Sequence, residues 1–142
     1  MSWGKTLMIL WAGLALGGNM IAAPAKFQVI SLSTAQLVQV GRAQFTWLGW
    51  AEMTLCFAIL MLLAKQRVWP SLAMTIVVSI FAIQQMWLQP MLQIQSDLLM
   101  SGGQPVKNHL HVAFILAETL KIGFLIWASR VADRRPTNTQ TP

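Results

Sequence analysis

Four long apolar stretches separated by short polar connections set the pattern of this chain: about Thr6 to Ala23, Phe45 to Ala64, Leu72 to Leu88 and Val112 to Ala128. Each approaches or reaches the ~17–25 residues that a helix needs to cross a ~30 Å hydrocarbon core. A spanning segment must satisfy its own backbone hydrogen bonds, so the pattern predicts an all-α membrane protein, a four-transmembrane-helix bundle rather than a barrel. Helices two and three are expected to extend beyond the bilayer on the non-cytoplasmic side. Ser33-Thr34-Ala35-Gln36 has capping-box spacing, which starts the second helix near Ser33. From there to Ala64 is about 48 Å of helix. After Pro90, the residues Met91, Leu92, Leu98 and Leu99 recur at helical spacing among Gln93, Gln95 and Asp97. That spacing predicts an amphipathic continuation of the third helix, kinked or interrupted at the proline. Ser101-Gly102-Gly103-Gln104-Pro105 ends it, and Asn108 can cap the fourth helix. Residues 1–133 read as a single four-helix domain, and Arg134 through Pro142 as a disordered polar tail.

Composition fixes the class and the orientation. The chain is 56% hydrophobic and only 10% charged, against about 25% charged residues in soluble domains. Its net charge of +6 flanks the apolar runs instead of forming a stripe, so it reads as topology signal and not as nucleic-acid affinity. With four spans, one side holds Lys5, Lys65, Arg67, Arg130, Arg134 and Arg135, and the other Lys26, Arg42 and Lys107. The excess places both termini in the cytoplasm of a bacterial inner-membrane, multi-pass protein. Trp3 and Trp69 then fit the cytoplasmic interface, and Trp47, Trp50 and Trp87 the outer one. A rival reading takes Lys5, the first apolar run and Ala23-Pro24-Ala25 as a cleavable signal peptide. The Gly17-Gly18-Asn19 interruption fits a packed helix better, because small residues let helices approach closely.

The informative residues are polar ones inside these runs. Glu52 and Glu118 are two of only four acidic residues, and an ionisable group at mid-bilayer costs roughly 2.5–3.5 kcal/mol on insertion scales. The orientation puts Asn19, Glu52, Gln84, Gln85 and Glu118 in the same outer leaflet, with a polar group from every helix. Lys121 lies one turn below Glu118, a favourable pairing direction, and His111 shares its face seven residues earlier. A structural ion pair is the first reading of Glu118 and Lys121; a proton or cation relay gated by His111 is the second. Glu52 has no partner on its own helix, since Arg42 is ten residues away and rotated off its face. It must reach Lys121 or a glutamine across helices, or stay protonated.

His109 and His111 form a His-x-His pair at the mouth of the fourth span. On a helix they point about 200° apart, so they would converge on a metal only in an extended segment. Met86, Met91 and Met100 could add soft donors suited to Cu(I), although methionines in membrane chains are mostly packing residues. The single cysteine, Cys56, allows no intramolecular disulfide. No phosphate loop, nucleophile elbow or HExxH motif occurs, so the sequence gives catalysis no positive support.

Pro24-x-x-Phe27 after the first span, Gly41-Arg42-x-x-Phe45 opening the second and Trp87-Leu88-x-Pro90 ending the third form a set with His111, Glu118 and Lys121. In these features, from about Leu7 to Trp127, the chain resembles the bacterial four-helix membrane proteins of domain-of-unknown-function family 4149, which are related to eukaryotic transmembrane protein 205. Gln84 and Gln85 stand where that resemblance leads one to look for an asparagine. The resemblance implies four spans and an uncleaved first helix, and it brings no settled activity. The sequence therefore leads first to a non-enzymatic accessory or scaffold subunit, homo-oligomeric or held in a membrane complex, with no cofactor. The alternatives are a small ion- or proton-coupled transporter, or a redox-membrane module binding quinone, haem or copper near His109 and His111.

Overall fold

The structure, a computed structural model, describes residues 3–29, 31–103 and 109–132. They form four long helices: α1 (Trp3–Gln28), α2 (Thr34–Lys65), α3 (Leu72–Met100) and α4 (His109–Ala132). All four are long and apolar enough to cross a membrane, and no strand occurs among the described residues. The helices run alternately up and down, as their short connections require. The Asn108 cap, Lys107 and the tail from Arg134 lie outside the described residues. At 32 and 29 residues, α2 and α3 are about 48 and 44 Å long, well beyond a ~30 Å core.

Local chemistry accounts for where the helices start. Ser33 Oγ accepts from the Gln36 N–H at 3.3 Å, and Gln36 Oε1 accepts from the Ser33 N–H at 2.9 Å, closing the capping box of α2. Ser71 does the same single-handed for α3, accepting from the Met74 N–H at 3.3 Å.

Pro90 does not interrupt α3. Its upstream turn widens to π-helix over Gln84–Leu88, and α1 widens likewise over Leu16–Ala22, two residues before Pro24. In both, the residue preceding the proline donates one step further back than in an α-helix: Ala23 N–H to the Gly18 carbonyl, Gln89 N–H to the Gln84 carbonyl. A proline ring clashes with the carbonyl four residues before it. Those carbonyls, Met20 and Met86, fall inside the widened turns, which is how the helices continue through the prolines. Gln44 Nε2 donates to the Gly18 carbonyl as well, at 2.7 Å, tying the α1 bulge to α2.

The apolar core fills the end of the bundle where α1 begins and α4 finishes. Trp11, Ile59, Met74, Val77 and Leu125 are its buried centre, and Trp11 meets Phe81 edge-on at 5.4 Å between ring centroids. Trp3, Trp47, Trp50, Trp69 and Trp87 are all exposed on the outside of the bundle. At the opposite end an ion pair between Arg42 and Asp97 links the extended parts of α2 and α3. Both partners are substantially exposed, at 35% and 59%. Arg42→Ala is therefore expected to cost no more than about 1 kcal/mol in thermal unfolding in detergent, the ceiling for such pairs. A loss of several kcal/mol would mark the pair as a clamp.

Candidate functional site

Directly above the apolar core, each helix contributes a polar side chain to one buried network. Met8, Trp11, Ala15 and Asn19 continue one inward stripe of α1 at three- and four-residue steps. The same spacing on α2 carries Gly49, Glu52, Cys56 and Ile59; on α3 Val77, Phe81 and Gln84; on α4 Phe114, Glu118, Lys121 and Leu125. The polar members lie about 16–24 Å along their helices from the end shared by Trp3, Lys65, Leu72 and Ala132. In a ~30 Å core that is past the midplane.

Lys121 is the hub. Its Nζ lies 2.5 Å from Glu52 Oε2 and 2.9 Å from Glu118 Oε2, and it sits 5.4 Å from the centre of the Phe81 ring. One ammonium thus serves two carboxylates, and its remaining side faces an aromatic ring. Glu118 is held on both oxygens: Asn19 Nδ2 donates to Oε1 at 2.8 Å, and Gln84 Nε2 to Oε2 at 2.7 Å. Glu52 is held more loosely. Its Oε1 receives only the Asn19 amide at 3.4 Å, and the Trp11 indole N–H lies beside the carboxylate without reaching hydrogen-bond geometry. Glu52, Gln84, Glu118 and Lys121 are each at most 2% exposed.

The network is not fully closed. Asn19 Oδ1 and Gln84 Oε1 are buried acceptors with no donor, a costly arrangement in a low-dielectric interior. The space enclosed beside them has about 10 Å³ of room for the centre of a water, close to the ~10–15 Å³ that a single molecule needs. On the side away from the apolar core, Phe45 and Phe114 cover it with an edge-on ring pair at 5.6 Å.

The structure thus brings together Asn19, Glu52, Gln84, Glu118 and Lys121, and places Gln85 on the wall of the same cavity, half-buried against Gly49. Two candidates stand apart. Arg42 is turned to Asp97 and takes no part in the network. His111 shares the Glu118 face, but it is exposed about 10 Å above it with Phe114 between them. His109 is exposed too, and among the described residues no three His, Cys, Asp or Glu side chains come together as a metal set. Met86, Met91 and Met100, the soft donors nearest in sequence, are exposed.

Sequence reasoning missed Trp11, Phe81 and the two widened turns. The signal for the turns was present in Asn19 and Gln85, each five residues before a proline. A helix that must widen there re-aims its amides. Trp11 was legible only as part of the stripe leading to Asn19. No family model, no curated protein and no solved structure matches this chain.

Proposed function

We propose that the chain is a proton-binding membrane protein, a small proton-coupled carrier whose buried network takes up and releases one proton. The observation that carries this reading is the charge balance: two buried carboxylates, Glu52 and Glu118, share one ammonium, Lys121. A purely structural ion pair needs one of each sign, and a surplus buried charge is strongly unfavourable. A proton on one carboxylate removes the surplus. Glu52 Oε1 is the natural seat, because its one donor, the Asn19 amide at 3.4 Å, is the most distant of those on the four carboxylate oxygens. Intramembrane carboxylates facing a bundle interior are characteristic of proton relays.

The basic residues Lys5, Lys65, Arg67 and Arg130 support cytoplasmic termini in a bacterial inner membrane, which would put the network in the outer leaflet. The resemblance to the family 4149 four-helix proteins is compatible with this reading through Glu118 and Lys121, and is silent on what is carried. The second reading, an accessory or scaffold subunit that is homo-oligomeric or held in a complex, is favoured by the apolar layer of Trp11, Ile59, Val77 and Leu125 below the network. That layer offers no conduit towards the terminal side. Quinone or metal binding finds no comparable support, because His109 and His111 are exposed and apart from the network.

The carrier reading is tested in proteoliposomes with a trapped pH dye. An imposed pH gradient should drive protein-dependent proton movement, and Glu52→Gln should abolish it while accumulating normally. Movement no greater than in empty liposomes, or equal movement in both proteins, would sink the carrier reading in favour of the scaffold.

A further inference from the structure

The buried network is closed along the bundle axis, yet a groove edged by glutamines adjoins it from the side. Phe45 and Phe114 cap it on one side, and the apolar core seals it on the other. Between α2 and α3 lies a groove of about 280 Å³. It shares three wall residues with the network's own cavity: Gly49, Gln85 and Gln89. We infer that, in the conformation described, this groove is the water-filled access route by which hydronium reaches the network, open to the side opposite the termini. The inference rests on the proton-binding reading and adds its path.

Three observations support it. Gln85, Gln89 and Gln93 recur every four residues, a single amide stripe along α3, and all three line the groove opposite Thr46, Trp50 and Met53 of α2. A stripe of amides facing hydrocarbon would be costly, whereas the same stripe facing water is solvated. The stripe also has the right length. Gln93 lies about 31 Å along α3 from Leu72 and Gln85 about 20 Å, so it runs from the edge of a ~30 Å core to the level of the network.

Gly49 is where groove and cavity meet. A Cβ there would stand 3.1 Å from Gln85 Oε1 and 3.2 Å from its Nε2. The absent side chain makes the space in which the Gln85 amide lies between the two compartments. Gln85 is half-buried at this junction, positioned to hydrogen-bond water on the groove side and in the cavity, so that the waters and not the amide carry the proton.

The test uses the full-length protein with Cys56→Ala, reconstituted in liposomes, and single cysteines introduced as Gln93→Cys, Gln89→Cys and, as a lipid-facing control on the same helix, Ile83→Cys. A charged, membrane-impermeant methanethiosulfonate is added to either face. Modification at positions 93 and 89 should be at least ten-fold faster than at 83, and only from the face opposite the termini. Gly49→Leu should slow the reaction at 89 by filling the groove. Rates at 89 as slow as at 83 would overturn the route and indicate that lipid occupies the groove, and modification from both faces would overturn its one-sidedness. The infrared band of a protonated carboxyl, followed as Cys56→Ala protein is moved from H₂O to D₂O, separates the two failures. A shifting band with unreactive cysteines refutes the route and leaves the proton site standing; no band at any pH refutes the proton site itself.

Discussion

Lys121→Met is expected to cost about 3–5 kcal/mol, the range for removing one partner of a buried charge group. Methionine fills the space of the lysine stem, so the loss reports charge and not a cavity. It strands the Glu118 carboxylate, which Lys121 holds at 2.9 Å, and takes from the protonated Glu52 its 2.5 Å partner, in an interior with no other cation in contact among the described residues. The variant should accumulate poorly and melt well below the wild type in detergent. Adding Glu52→Gln and Glu118→Gln to the same chain should restore most of the lost stability, because no stranded charge then remains. A single variant that melts like the wild type would mean that both carboxylates already carry protons, contrary to the charge balance proposed.

Glu52→Gln should produce the largest loss of function with almost no loss of fold. It leaves Glu118 and Lys121 as a balanced pair, with Asn19 and Gln84 still donating to Glu118. Its stability is expected within about 1 kcal/mol of the wild type, since glutamine is an uncharged near-isostere of the protonated carboxyl and leaves no unpaired buried charge. Glu118→Gln is expected to be worse, by about 1–3 kcal/mol, because two buried amide donors lose their charged acceptor. Paired melting curves measure this asymmetry. The reverse order would move the exchangeable proton from Glu52 to Glu118.

Much of this arrangement is legible in the chain, for physical reasons that differ by residue. The four spans and the Ser33 cap follow from local patterns, which need no tertiary knowledge. Depth is legible too. With rise per residue fixed and span direction alternating, Asn19, Glu52, Gln84 and Glu118 must lie at one level. Rotation about each helix axis is a different matter. Lys121 reads from sequence as the i, i+3 partner of Glu118, and only packing reveals that the same ammonium reaches Glu52. Arg42 and His111 failed to join the network for related reasons. Arg42 lies on the overhang of α2, where Asp97 is within reach; His111 has the correct face but sits beyond the phenylalanine lid. The widened turns at Gly17-Gly18-Asn19 and at Gln84 change the helical period locally, and a uniform 3.6-residue reading cannot see that.

The central claim is that one exchangeable proton resides on Glu52, and carboxyl infrared spectroscopy on purified protein in nanodiscs addresses it most directly. Wild-type protein should show one protonated-carboxyl C=O stretch that shifts in D₂O and is absent from Glu52→Gln. A wild-type spectrum lacking that band across the accessible pH range, or a band that survives unchanged in Glu52→Gln, would contradict it.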